Sequence, residues 1–185
     1  GAASDQFGRS VSLSADGLTA LIGANGDNTA AGADAGSASV FTRDPVTGAW
    51  TQQTKLTDPD GAAGDRFGTS VALSADGATA LVGANRDDTA AGADAGSASV
   101  FTRDPVTGAW TQQTQLTAPD GAAGDLFGRS VSLSGDGLTA LVGARLDDTA
   151  AGADAGSASV FDFPDTDGDG KADAFDNCPL LANPD

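Results

Sequence analysis

The sequence predicts an all-β fold, and three observations carry that prediction. All 26 acidic residues are Asp and none is Glu; Asp competes with the helical backbone for its hydrogen bonds, whereas Glu is tolerated in helix interiors. Asp-Gly pairs recur evenly, at Asp16-Gly17, Asp76-Gly77 and Asp136-Gly137, and such pairs between short apolar alternations mark tight hairpins. Finally, Phe7-Gly8, Phe67-Gly68 and Phe127-Gly128 stand 60 residues apart, and Thr29 to Thr54 recurs letter for letter as Thr89 to Thr114. That is the mark of duplicated tandem units.

Within a unit, Ser10 to Ser14 alternates apolar Val11 and Leu13 with Ser, so it reads as a first strand. Asp16-Gly17 turns the chain and Leu18 to Gly23 returns as a second strand. Asn25 to Gly36, rich in Ala, Gly and Asp without an apolar period, reads as a long solvated, flexible loop. Ser37 to Thr42 forms a third strand around Val40 and Phe41, Asp44-Pro45-Val46-Thr47-Gly48 reverses the chain, and Ala49 to Leu56, with Trp50, runs back outermost. Four antiparallel strands repeated in tandem match the blade of a β-propeller, whose sheets pack face to face. Small residues on the inner strands let neighbouring sheets approach, and one Phe per unit plugs the seam. The third unit ends after Val160-Phe161, where Pro164 and an Asp-rich tail replace the Trp strand; an upstream Trp strand would complete this blade and close the ring.

Composition narrows the function. With 185 residues, no Met and a start at Gly1 inside a repeat boundary, the chain reads as a fragment of something longer. A net charge of −17 repels nucleic acid and anionic membrane surfaces, and no stretch is long and apolar enough to span a membrane. Cations are its natural counterpart, although the charge also serves solubility. With neither His nor Tyr, a Ser-His-Asp or Cys-His arrangement cannot be assembled, and a carboxylate pair is the remaining acid–base option. No Glu and no distinctive Asp pair marks one unit as special, so the chain reads as non-enzymatic.

The run Asp125-Leu126-Phe127-Gly128-Arg129-Ser130-Val131-Ser132-Leu133-Ser134, ending in Leu141-Val142-Gly143-Ala144, resembles the FG-GAP repeat of integrin α-subunits. Trp110-Thr111-Gln112-Gln113 ahead of an Asp-Gly-Ala-Ala-Gly-Asp-x-Phe-Gly junction is similar to its secreted bacterial form. The resemblance covers residues 1–163, as units of about 1–60, 61–120 and 121–163, and implies a partial propeller of three four-stranded blades, the third incomplete, used for adhesion or ligand binding. Integrin repeats often carry a calcium loop between their first two strands. The corresponding segments here, at Asp16, Asp76 and Asp136, offer one carboxylate each, too few for the six to eight oxygens calcium takes, and read as hairpin turns. Asp27, Asp34, Asp87, Asp88, Asp94, Asp147, Asp148 and Asp154 place acidic clusters along one rim, as a weak cation surface or as turn caps. Asp5, Asp65 and Asp125, before each Phe-Gly, read as turn-orienting residues.

The tail, 164–185, differs. Asp165, Asp167, Asp169, Asp173 and Asp176 fall at positions 1, 3, 5, 9 and 12 of a loop with Gly170 at position 6 and the Lys171 carbonyl at 7, the ligand spacing of an EF-hand-type calcium loop. Asp176 stands where Glu is usual, and the flanks lack amphipathic helices. With Asp176-Asn177-Cys178-Pro179 and Asn183-Pro184-Asp185, the segment resembles a truncated thrombospondin type 3 repeat. That resemblance implies bound Ca²⁺ in an irregular tail, a partner for Cys178 beyond Asp185, and an oxidising, extracellular setting. The expectation is thus a secreted or cell-surface calcium-binding module for adhesion, with an extracellular protein or glycan as ligand. A stalk or matrix protein without a specific ligand is the alternative, and a carbohydrate-binding propeller using Trp50 and Trp110 a third reading.

Overall fold

The computed structural model describes residues 2–166, 168, 172 and 173, and these form three antiparallel sheets in sequence. The first runs β1 (Val11–Leu13), β2 (Thr19–Ala24), β3 (Ser37–Arg43) and β4 (Trp50–Leu56). The second runs β5 (Phe67–Leu73), β6 (Thr79–Ala84), β7 (Ser97–Arg103) and β8 (Trp110–Leu116). The third holds β9 (Phe127–Leu133), β10 (Thr139–Ala144) and β11 (Ser157–Asp162). In each sheet the spatial order follows the chain, so the Trp strands β4 and β8 lie at the outer edge. The predicted partial propeller is what forms, with three strands in its third blade among the described residues.

Register separates two faces of each blade. Leu21 pairs with Val40 and Gly23 with Ala38, while Ala20 pairs with Phe41 and Leu13 with Ala20. Directly opposed residues share a face, so Leu21, Gly23, Ala38 and Val40 form what we term the back, and Leu13, Ala20 and Phe41 the front. The back of each blade packs on the front of the next. One apolar cluster joins Leu21, Ala38, Val40 and Leu56 to Phe67, Val71, Leu73, Val82 and Phe101; a second joins Leu81, Ala98, Val100 and Leu116 to Phe127, Ala140 and Val142. The core is therefore a pair of seams between sheets, and among the described residues the middle blade alone is covered on both faces.

The seams explain the two glycine-bearing motifs. A Cβ on Gly23 would lie 2.1 Å from the Gly68 carbonyl oxygen, and one on Gly68 would lie 2.2 Å from that of Ser37. The Phe-Gly of one blade thus sits backbone to backbone against the Gly-Ala of the blade before it. Gly36 and Phe67 form a parallel bridge, with the Phe67 amide donating to the Ala35 carbonyl at 2.9 Å. The strand begins earlier here than the alternation predicts: β5 and β9 start at Phe67 and Phe127 through a bulge, whereas Phe7-Gly8 stays outside β1. The seam Phe has an aromatic partner within its own blade, since Phe67 meets Phe101 edge to face at 6.0 Å.

The turns follow their sequences. Asp16 accepts from Ser14 Oγ at 2.6 Å and from the Leu18 amide at 2.8 Å, and Asp44 Oδ1 accepts from the Val46 and Thr47 amides. The carboxyls of Asp16 and Asp44 are held below the usual range by these bonds. The long loop is more ordered than its composition suggests, since Thr29 and Gly32 exchange both backbone hydrogen bonds and the Gly36 amide donates to the Asp27 carbonyl at 2.9 Å.

Candidate functional site

The acidic tail leaves β11 beside Phe163, whose amide donates to the Leu138 carbonyl at 2.8 Å. Asp165 Oδ1 accepts from the Gly168 amide at 2.8 Å. Asp173 folds back over the segment, its amide donating to the Pro164 carbonyl and its carboxylate accepting from the Thr166 amide at 2.8 Å and hydroxyl at 2.5 Å. Ala172 is buried in the second seam cluster, which ties the return of the loop to the blades. Positions 1 and 9 of the expected loop thus each accept hydrogen bonds from residues 166–168. Asp167, Asp169, Lys171 and Asp176 lie outside the described residues, as do Cys178 and the rest of the thrombospondin-like segment. Among the described residues no three acidic or thiol side chains converge on one point.

The Asp residues predicted to line a rim divide into two kinds. Asp88 and Asp148 cap turns by accepting from the amides of Asp94 and Asp154, at 2.9 and 2.8 Å. Asp27, Asp87 and Asp147 instead turn inward and are buried. The residues before Phe-Gly orient turns as expected: Asp65 Oδ2 accepts from the Ala62 amide at 2.5 Å and Asp125 Oδ2 from the Ala122 amide at 2.6 Å. Asp5 accepts from the Ala2 amide in the same way.

The buried Asp residues reveal a difference between otherwise repeated units. In the first blade, Asp27 Oδ2 accepts from Ser37 Oγ at 2.6 Å and from Lys55 Nζ at 2.7 Å. Burial works to raise this carboxyl, but the Lys55 and Ser37 bonds outweigh it and hold it low. Sixty residues on, Gln115 replaces Lys55. Its Nε2 donates to Asp87 Oδ2 at 3.1 Å and reaches Asp58 Oδ2, from the preceding connection, at 3.4 Å. Both carboxyls are buried, and an amide supplies no positive charge to offset that. Burial, reinforced by neighbouring Asp60 and Asp87, pushes Asp58 up to about 8, and burial pushes Asp87 up to about 6. Among the described residues, Asp58 Oδ1 has no hydrogen-bond partner. This carboxyl pair is absent from the sequence reading; its signal was the two substitutions, Lys55 to Gln115 and Asp58 to Ala118, in near-identical repeats.

A groove of about 480 Å³ opens between the outer strands of the first blade and the β7–β8 turn of the second, lined by Thr42, Gln53, Thr54, Arg103, Thr107 and Trp110 among others. Trp110 packs partly against the first seam cluster, whereas Trp50, its counterpart, is 45% exposed. One aromatic face, one guanidinium and several hydroxyls make it a polar recess with a single stacking surface.

The chain belongs to the FG-GAP repeat family, whose profile matches residues 1–41, 50–101 and 110–161. No curated protein matches it. Among solved structures it is similar to the periplasmic gluconolactonase of Pseudomonas aeruginosa, with a TM-score of 0.54 and 17% identity over 83% of this chain. It spans 39% of that protein's length. Hydrazine synthase of Kuenenia stuttgartiensis (TM-score 0.45, 16% identity, 83% of this chain and 33% of that one) also matches. So does a functionally unknown protein of Desulfotomaculum acetoxidans (TM-score 0.45, 12% identity, 83% and 38%). The gluconolactonase likeness concerns the fold alone. No helix among the described residues is long and apolar enough to cross a membrane.

Proposed function

We propose that the chain is a non-catalytic, extracellular binding module whose blades present a ligand surface and whose tail binds Ca²⁺. The observation that carries the metal reading is the closure of the tail: Asp173 bonded to Thr166, Asp165 bonded to Gly168, and Ala172 buried against the blades. That closure holds the first and ninth positions of an oxygen-rich loop on a rigid support, which lowers the ordering cost of gathering the remaining ligands. Asp165, Asp167, Asp169, Asp173, Asp176 and the Lys171 carbonyl would hold the ion, and their mutual repulsion would be relieved by it. In the thrombospondin type 3 reading the loaded tail is a stiff spacer, and Cys178 pairs in an oxidising compartment. The groove at Trp110, Arg103 and Gln53 is the surface best suited to the ligand, an extracellular protein segment or glycan able to stack on an indole and hydrogen-bond to its rim.

Calorimetric titration of the chain with CaCl₂ tests the metal reading. Saturable binding in the micromolar to millimolar range is expected, roughly the span of sensor and extracellular sites. Asp165→Asn and Asp173→Asn should each weaken it at least about tenfold, because each removes a charged ligand. The absence of saturable uptake by the unaltered chain would defeat the reading.

A further inference from the structure

The first two blades balance the same buried Asp in different ways. In the first, Lys55 Nζ meets Asp27 at 2.7 Å and Ser37 Oγ donates to it at 2.6 Å. In the second, the matching residues are Asp87, Gln115 and Ser97. The ammonium is gone and another carboxylate has arrived: Asp58, from the β4–β5 connection, stands where the next connection has Ala118. Gln115 Nε2 spans the two, 3.1 Å from Asp87 Oδ2 and 3.4 Å from Asp58 Oδ2. Asp58 is 8% exposed and Asp87 9%, and among the described residues no Lys or Arg pairs with either. Two oxygens here are also orphaned among the described residues. One is Asp58 Oδ1; the other is the wholly buried Oγ of Ser97, which lies beside Asp87 without the bond that Ser37 makes to Asp27. Buried polar atoms without a partner are rare enough to require an explanation.

We infer that Asp58 and Asp87 hold a divalent cation, Ca²⁺ by its chemistry, in the place that the Lys55 ammonium takes beside Asp27. This inner site is separate from the acidic tail and does not depend on it. Two buried carboxylates that share one neutral amide lack a counter-charge, and a doubly charged ion neutralises both. Ca²⁺ gathers carboxylate, amide and water oxygens in a flexible shell, whereas Mg²⁺ demands a near-ideal octahedron. Carboxylates carried on two separate segments suit the adaptable ion. A half-turn of the Gln115 amide brings Oε1 to where Nε2 now donates, which adds a neutral oxygen ligand. With only two carboxylates converging, water supplies the rest of the shell, and the exposed Asp60, which adjoins Asp58, marks the side from which ion and water enter. Bound there, the ion fastens the connection between the blades to the β6–β7 loop of the second blade.

Calorimetric titration with CaCl₂ of the full chain carrying Asp165→Asn/Asp173→Asn, which silences the tail, tests this. One saturable site should remain, and Asp58→Ala or Gln115→Lys added to that background should each weaken it at least about tenfold. Both substitutions install what a neighbouring unit already has, Ala118 or Lys55, and circular dichroism verifies that both variants fold. Should one fail to fold, the other decides. Thermal melts supply a second measure: excess CaCl₂ over EDTA should raise the melting temperature of the tail-silenced chain and leave that of its Gln115→Lys form unchanged. Absence of saturable uptake by the tail-silenced chain overturns the inference, as does uptake that persists undiminished in a folded Asp58→Ala or Gln115→Lys form. The two calcium sites fail separately. If only the inner site exists, Gln115→Lys removes all binding from the otherwise unaltered chain; if only the tail binds, Asp165→Asn weakens that binding and Gln115→Lys does not.

Discussion

At the scale of single residues, the seams rest on atoms that are missing. Gly68 and Gly8 hold the same place in their repeats and similar backbone angles, φ +83° and +89°. A Cβ on Gly68 meets the Ser37 carbonyl at 2.2 Å, while one on Gly8 has nothing within 4 Å. Gly8→Ala should therefore cost about 1 kcal/mol, the strain of a left-handed alanine. Gly68→Ala adds a backbone collision that only separation of the blades relieves, so it should cost about 3 kcal/mol or more. Urea denaturation of the two variants checks the difference; equal costs would show that the seam does not close on Gly68. The sequence pointed to close approach beside Phe, but the atom each glycine approaches belongs to another unit.

At the scale of elements, the same strand has different roles according to its neighbours. β1 and β5 share most of their residues, yet β1 exposes Val11 and Leu13 while β5 is buried nearly throughout. Burial here is a property of the stack, because a sheet with two apolar faces needs a neighbour on each. Phe67→Ala should cost about 3–5 kcal/mol, as for a fully buried aromatic. Phe7→Ala should cost under about 1 kcal/mol, since its ring is half exposed, and its contact with Phe41 at 6.2 Å matches the one Phe67 makes with Phe101. Thermal melts of the two variants at one protein concentration make the comparison, and similar losses would argue against the stacking assigned here. Strand type and order were legible from alternation and turn pairs. The bulged starts at Phe67 and Phe127 were not, because the preceding blade draws those residues into the strand.

At the scale of the whole molecule, charge sets the response to pH. The carboxyls of Asp58 and Asp87 are raised, to about 8 and about 6, with Asp60, Asp65 and Asp88 as the further acidic groups around them. Between pH 4 and 8 the folded chain keeps protons that the unfolded chain has released, so stability falls as pH rises. The net charge of −17 acts in the same direction, since titration toward the acid end relieves repulsion. Below about pH 4 the sign reverses, because the lowered carboxyls of Asp16, Asp27, Asp44 and Asp136 lose favourable bonds on protonation. The expected profile peaks at mildly acidic pH and declines toward pH 8. Gln115→Lys, which restores the cation found at Lys55, should flatten that decline and raise stability at pH 7.5. A flat profile in the unaltered chain, measured by urea melts from pH 4 to 8, would contradict the buried pair.

The amino-acid order alone determined the class, the period, the type and order of the strands, the turns and the spacing of the tail's carboxylates. Each of these is written in neighbouring residues: alternation sets strand faces, and Asp-Gly sets hairpins. Tertiary structure decided which copies of a repeated residue are buried, which glycines admit a carbonyl, and that Asp58 and Asp87 share one amide. Those outcomes depend on contacts between residues about 30–60 positions apart, and identical letters in successive units acquire different surroundings only when the blades stack.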